Sequence, residues 1–496
     1  MENMKVMILN LPSTPGIDLN RDNAGGYGVG RLVKRKDYGH SSDVVFPVFM
    51  PYLATRIKRE GYDLSILDAQ VMKLNVEGVI REITNTQPSF IISMICLPSM
   101  YGDIHLLNKI KENFPQIFLI SVGAITKFLA EEILAKSKVD FLADGEYPFY
   151  SEPIITLIRA IQKKTAHPVK EIPGLSYKEK TNGKVLIRHN PLQKLQNGQS
   201  LDDLDIQIYD EFPMQAYNLR ICEPDGKFLN YFPILSGKGC PFPCIYCPYP
   251  IGFGRKIFYK SPKNLVDEME YLSKTFHINA FLFRDQVFTM DSDRTRQICD
   301  LIRTRGLKVN WLFETRPDKI TRDLVKEMKA AGCNRIHFGV ETGDENLLQK
   351  IGKPYLNKET VKETFKIMAE EGIYTMAHVI IGLPGENMNS LINTYEFLLE
   401  LNPHSVNWNI VTPYPGTKLF ELAKMKNLIL TYNWEKYNSR DVVMRTEQLS
   451  GEQLIQATKK FMRNFKIRKS LGMMRKALYN KTCMEYIVRR AIHGFT

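Results

Sequence analysis

The sequence predicts an α/β protein: an open parallel sheet, then a partial β/α barrel, then a helical tail. Three observations carry this reading. Apolar strand-like runs alternate with helix-like segments over residues 1–165. The alternation stops over residues 166–230, where a hairpin, an acidic stretch and spaced prolines intervene. It then restarts near Phe232 and continues over residues 231–440, leaving 441–496 as a basic, helical end. Strands that alternate with helices form parallel sheets, which bind ligands at the carboxyl ends of their strands.

The elements follow in order. MKVMILNL is almost continuously apolar, as a strand buried on both faces must be. Phe46–Gly61 has helical spacing and stops at a glycine, and YDLSILDA is the second strand. A helix near Val76–Ile83, the strand SFIISMICL, a helix over Ile104–Asn113, the strand IFLISVGA, a short helix over Ala130–Ala135 and the strand DFLADGE complete the first assembly. GLSYKEKTNGKVLIRH reads as a hairpin turning at Asn182-Gly183, within a connector that has little core of its own. The second assembly offers the strands YFPILSG, AFLFRD, VNWLFET, RIHFGVET, AHVIIGL and VNWNIV. Its helices start near Lys263, Ser292, Arg322, Asn346, Lys358 and Asn389. Six such units fall short of a closed eight-unit barrel, so a partial (β/α)6 barrel is expected.

Composition narrows the class. A length of 496 residues with 44% hydrophobic and 24% charged residues suits a soluble globular chain of two to three domains. No apolar run is long enough to span a membrane, and the start MENMKVMILNLPS reads as a strand and not a signal peptide, so a cytoplasmic protein is expected. The net charge of +13 admits nucleic acid, a membrane surface or an anionic substrate as partner. The basic residues crowd the tail, where a solvated helical face is the plain reading. The segment KKFMRNFKIRKSLGMMRKALYNKT is also compatible with a peripheral membrane contact.

Three of the eight cysteines, Cys240, Cys244 and Cys247, fall within eight residues directly after a strand. Such a loop can hold three corners of an iron–sulfur cubane and leave the fourth iron open, as a catalytic metal site requires. Pro241, Pro243 and Pro248 stiffen it. Structural zinc would want a fourth Cys or His, and apart from the trio none lies between Cys222 and His277. A ferredoxin pattern would use two-residue spacings and a fourth cysteine.

The C-x3-C-x-aromatic-C loop resembles the signature of the radical SAM superfamily, and the likeness extends over residues 230–450. The resemblance implies an oxygen-sensitive enzyme with a [4Fe–4S] cluster on Cys240, Cys244 and Cys247. It further implies that S-adenosylmethionine (SAM) chelates the open iron and that an electron, from a donor such as flavodoxin or ferredoxin, releases a 5′-deoxyadenosyl radical. Tyr246 then matches the aromatic position at the adenine. AFLFRDQVFTMD places Asp285 and Asp291 near the methionyl end, and WLFETRPD points Glu314 and Arg316 towards SAM or substrate. IHFGVETGDENLL places Glu341 at the ribose, and HVIIGLPGE brings Gly382 and Gly385 to the adenine.

The first 165 residues resemble the Rossmann-like, cobalamin-binding-type domain of one branch of this superfamily, with Ser93, Cys96, Leu97, Gly123 and Glu146 on or near the corrin-facing rim. Leu9–Gly16 contains no histidine, and SVGAIT replaces a Gly-Gly pair, so the implied cobalamin lacks a histidine ligand. Asp103-Ile104-His105 follows the third strand and reads as a helix start with His105 facing solvent. The implied activity is cobalamin-dependent methyl transfer to an unactivated carbon of a small molecule or lipid. The alternative is a non-methylating cyclase, mutase or oxidase of the same architecture. An RNA-modifying enzyme of the methylthiotransferase kind would carry a second cysteine trio in front, where this chain has Cys96 alone, so no nucleic-acid partner is expected.

Overall fold

The computed structural model describes residues 4–12, 17–21, 23–28, 33–34, 44–145, 151–163, 169–192, 200–223 and 227–477. The front sheet is built from β1 (Lys5–Asn10), β2 (Asp63–Asp68), β3 (Phe90–Met94), β4 (Phe118–Val122), β5 (Phe141–Ala143), β6 (Leu175–Thr181) and β7 (Lys184–His189). Their spatial order is β2-β1-β3-β4-β5-β6-β7. The first five are parallel. The strand order reverses between β1 and β3, and such a switch point opens a crevice at the carboxyl ends.

Two expectations are corrected. The hairpin around Asn182 and Gly183 forms, yet β6 pairs antiparallel with β5, so it extends the front sheet. The segment read as having little core buries Leu201, Ile208, Tyr209, Phe212, Met214 and Tyr217. Four of its rings and neighbours, Tyr209, Phe212, Tyr217 and the first barrel strand's Phe232, surround Phe46 at centroid distances of 4.6–5.7 Å. An aromatic cluster of this kind joins the two assemblies through shared apolar burial.

The barrel strands are β8 (Phe232–Ile234), β9 (Ala280–Phe283), β10 (Asn310–Thr315), β11 (Cys333–Glu341), β12 (Tyr374–Ile381) and β13 (Ser405–Ile410), all parallel and in sequential order. Side-chain alternation divides each strand between two faces. Phe281, Phe283, Trp311, Phe313, Ile336 and Phe338 pack outwards in one buried cluster with Leu265, Ile298, Val325 and Phe365 of the surrounding helices. The alternate positions, among them Leu312, Glu314, Arg335, His337, Glu341 and His378, face the lumen.

The tail helix Gly451–Ala477 lies against the barrel, with Leu454, Ala457, Phe461 and Phe465 buried and Phe461 stacked on Tyr395 at 4.9 Å. Those two phenylalanines are therefore spent on packing and are withheld from any membrane surface. No helix among the described residues is long and apolar enough to cross a membrane.

Candidate active site

The cysteine loop leaves the barrel after β8 and is tied down on several sides. Gly239 holds φ at 95°, and a Cβ there would fall 2.0 Å from the Lys256 carbonyl, so only glycine fits. Its amide donates to the Gln286 side chain at 2.9 Å. The amides of Cys240 and Ile245 donate to the carbonyls of Gly254 and Ile351, and the Ile245 carbonyl accepts from Leu419. Gly352 lets the Pro243 carbonyl approach, because a Cβ there would sit 2.6 Å from it.

Cys240, Cys244 and Cys247 form no disulfide; Cys240 is buried and the other two are half-buried. Burial pushes the Cys240 thiol up and the Cys247 thiol well up, and each feels the charge of Cys244. Thiols so placed keep their protons unless a cationic centre displaces them, because thiolate is the ligating form. The donor set is therefore suited to an iron–sulfur cluster, whose positive irons would supply the compensating charge.

Around the trio the structure gathers several predicted residues. Tyr246 is hydrogen-bonded to Glu341, and burial beside that carboxylate raises its hydroxyl well above the usual range. Glu341 also pairs with Lys353 at 2.5 Å, and burial opposed by this carboxylate leaves the ammonium raised. Glu341 has φ of 66°, a strained value for a side-chain-bearing residue, sustained by those two contacts at the strand end. Arg316 is stacked between Phe242 of the loop and Tyr355, 3.5 Å from each ring centroid, and forks onto Asp318 at 2.8 and 2.6 Å. Its Nη1 is the guanidinium nitrogen with no partner and can donate to an incoming carboxylate.

Other predicted residues have local duties. Asp285 is buried and accepts from the Ser236 amide and hydroxyl at 3.0 and 2.7 Å, with burial raising its carboxyl against the pull of Arg294. Asp291 caps the helix Ser292–Thr304 through the Arg294 amide. Gly382 has φ of 93°, and a Cβ there would meet Val411 at 2.9 Å, so close packing as well as backbone geometry explains it. Gly385 donates its amide to Glu447 at 2.9 Å. Sequence reasoning missed Lys353, Tyr355 and Glu386. The first two lie twelve and fourteen residues past Glu341, in a loop without a motif.

At the front sheet's carboxyl edge, Ser93, Cys96 and Leu97 are 0–1% exposed. The segment Asn23–Gly28 lies over part of this edge: Leu97 donates to the Gly26 carbonyl and Ala124 to that of Gly25. Gly123 has φ of 138°, and a Cβ there would meet the Ile95 carbonyl at 2.8 Å. The Cys96 thiol donates to the Arg21 carbonyl at 2.8 Å. Arg21 is itself buried, paired with Asp103 at 2.8 Å and bonded to the carbonyls of Leu11 and Pro12. His105 is exposed. Glu146 lies outside the described residues. The covering segment reaches the barrel, where Asn23 accepts from Tyr249 at 2.7 Å and Arg284 at 2.6 Å, and Tyr27 donates to the Pro415 carbonyl at 2.6 Å. Both sets of strand ends thus meet at one seam.

Comparison with known proteins decides the family. Residues 234–398 match the model of the Radical SAM superfamily. That stretch is therefore a radical SAM domain within the chain. It is 29% identical over 453 residues to an uncharacterized methyltransferase of Pyrococcus horikoshii, covering 90% of this chain and 93% of that one. It is 25% identical over 437 residues to the anaerobic magnesium-protoporphyrin IX monomethyl ester cyclase of Cereibacter sphaeroides, covering 86% and 68%. Its fold is similar to that of the radical SAM methyltransferase TsrM from Kitasatospora setae, solved with cobalamin and a [4Fe–4S] cluster bound, with a TM-score of 0.64 at 16% identity over 85% of this chain and 75% of that one. The matched region contains the cysteine loop, and the chain is an enzyme.

Proposed function

We propose that this radical SAM enzyme holds a [4Fe–4S] cluster on Cys240, Cys244 and Cys247 and cleaves SAM to transfer a methyl group, with cobalamin as second cofactor, to an unactivated carbon of a small molecule or lipid. The single observation that supports the first part is the trio of unbridged cysteines, Cys240 buried and Cys244 and Cys247 half-buried, on a loop braced at the carboxyl end of the barrel. A bound cluster supplies the electron that breaks the sulfonium–carbon bond of SAM. The chain's own residues bind and orient. Tyr246, fixed by Glu341, offers a ring beside the trio. Arg316, locked between two rings, presents Nη1 to a carboxylate without losing freedom on binding. Glu341 keeps Lys353 at the same rim, so the site stays near charge balance.

The methyl-transfer part rests on the methyltransferase relative and on the fold shared with a cobalamin-bound structure. The reversal of strand order between β1 and β3, facing the barrel seam, is where such a fold binds a cofactor. Leu97 and Gly123 are covered by Asn23–Gly28, Cys96 is bonded to Arg21 and Ser93 to Ser121, so these buried residues do not fit as direct contacts and no step is assigned to a corrinoid. Similarity to the cyclase favours a second reading, ring closure without methyl gain. Anaerobic turnover with SAM deuterated in its methyl group separates the two by product mass. A labelled methyl in the product supports methyl transfer; an unlabelled, oxidised product supports cyclisation. A cytoplasmic setting and a flavodoxin or ferredoxin donor complete the proposal.

A further inference from the structure

The charged groups of the barrel lumen mostly find opposite charges: Glu341 meets Lys353, and Arg335 meets Glu223 at 3.7 Å. One lumen cluster is built otherwise. Glu314, His337 and His378 stand on β10, β11 and β12, where the register pairs Glu314 with His337 and Gly339 with His378. One ligand atom from each lies within 4.8 Å of the other two. The Nε2 atoms of both histidines are shielded and have no hydrogen-bond partner. Buried polar atoms are almost always paired, so two orphaned ring nitrogens on residues gathered around a carboxylate call for a ligand.

The cluster has a definite depth. His337 lies two residues above Arg335, roughly 7 Å at 3.3 Å per residue, and two below Gly339, beside which the Glu341 carboxylate folds back past an irregularity in the strand. Beneath it the lumen is closed, because Arg335 donates to the Cys222 carbonyl at 2.6 Å while Tyr231 and Asn334 bond to Glu223 at 2.9 and 2.8 Å. The cluster is therefore near the floor of a lumen whose other end is the cysteine loop.

Its protonation can be argued from chemistry. Arg440 donates to Asn407 Oδ1 at 2.9 Å, and arginine has no acceptor, so the amide orientation is determined. Asn407 Nδ2 then faces His378 Nδ1 at 3.0 Å as a donor. Nδ1 keeps its lone pair, so the ring carries its proton on Nε2, the nitrogen without a partner. A metal ion would need a lone pair at that nitrogen, so this arrangement disfavours a cation. Burial, followed by His378 and Arg335, holds the His337 ring well below the usual imidazole range, and it too is neutral. The cluster thus offers one N–H donor, one carboxylate acceptor and one neutral imidazole. An atom centred among them is at most about 2.8 Å from each, the span of a hydrogen bond to oxygen.

We propose that Glu314, His337 and His378 bind an uncharged hydroxyl of the substrate, which accepts from His378 Nε2–H and donates to the Glu314 carboxylate. This rests on the reading of the lumen as a radical SAM active site and deepens it by naming the substrate class. That class is a neutral, hydroxyl-bearing small molecule. An acid would be repelled by Glu314, and a bare hydrocarbon would leave the donor and acceptor unpaired.

The test uses the full-length holoenzyme labelled with 13C at the histidine ring, whose nine histidines give a tractable spectrum, with 1-propanol and propionate as matched probes. His378→Phe and His337→Phe assign the two signals, and the wild-type carbon shift of His378 reports its tautomer. The result expected is an Nε2–H signal perturbed by the alcohol with an affinity at least about tenfold above that for propionate, since like charges at about 4 Å repel strongly outside bulk water. Glu314→Gln should erase the discrimination, and His378→Gln, which keeps a donor near the Nε2 position, should retain alcohol binding. Equal response to both probes, no response to either, or a response to micromolar zinc alone would overturn the proposal. Normal iron and sulfide content in these same samples keeps a failure here separate from a failure of the cluster assignment.

Discussion

Both parallel sheets bring the carboxyl ends of their strands to one seam, yet they finish those ends in different ways. The barrel presents its ends: a proline-stiffened loop holds three unbridged cysteines beside Tyr246, Glu341 and Lys353. The front sheet covers its ends with Asn23–Gly28, sealed from below by the Arg21–Asp103 pair. One architectural rule therefore yields a site built from a contiguous motif and a platform built from long-range contacts. The first can be lost by changing one residue. The second should yield first in stability and only then in function.

That contrast can be broken most forcefully at the barrel. Cys244→Ala should bring 5′-deoxyadenosine formation to background while leaving the melting of the front domain unchanged; unchanged turnover would refute the site. On the other side of the seam, Arg21→Ala leaves the buried Asp103 charge without its partner and should cost about 3–5 kcal/mol in denaturant unfolding. Iron content should hold in the folded fraction, whereas a loss of iron in step with unfolding would show that the two edges are not independent. Gly123→Ala should cost about 1–3 kcal/mol by the same measure, because its backbone is left-handed and a Cβ would strike the Ile95 carbonyl.

The gentlest probe is pH. Burial pushes the Glu386 carboxyl up to about 8, against the pull of two backbone amides from Gly382 and Leu383. The folded chain then keeps a proton that the unfolded chain releases near pH 4.3. Stability from this group is full below that pH and falls as pH rises towards 8, with a slope of up to about 1.4 kcal/mol per pH unit. Glu386→Gln should flatten that part of the profile, as followed by urea unfolding at several pH values.

The same contrast explains what could be read from sequence. Barrel helices were legible almost to the residue because their caps are local: Ser261, Asp291, Thr321, Asp344, Asn357 and Asn387 each accept from an amide two or three residues on. The cysteine trio was legible because its spacing is itself the signal. The helix Ser151–Gln162 went unread, although its apolar face is regular. The antiparallel docking of the hairpin on β5 depends on partners over thirty residues away, which no local pattern reports. Arg21 and Asp103 are 82 residues apart, so the sealed front edge had no short-range signature. The lumen cluster left one trace, a histidine within each of the apolar runs RIHFGVE and AHVIIGL, but only strand register brings those histidines together.

The most direct test of the account is the iron and acid-labile sulfide content of the protein purified without air. The account predicts about four of each per chain, with a broad visible absorption that Cys240→Ala, Cys244→Ala and Cys247→Ala each abolish. Zinc bound to the trio, or iron without sulfide, would contradict it.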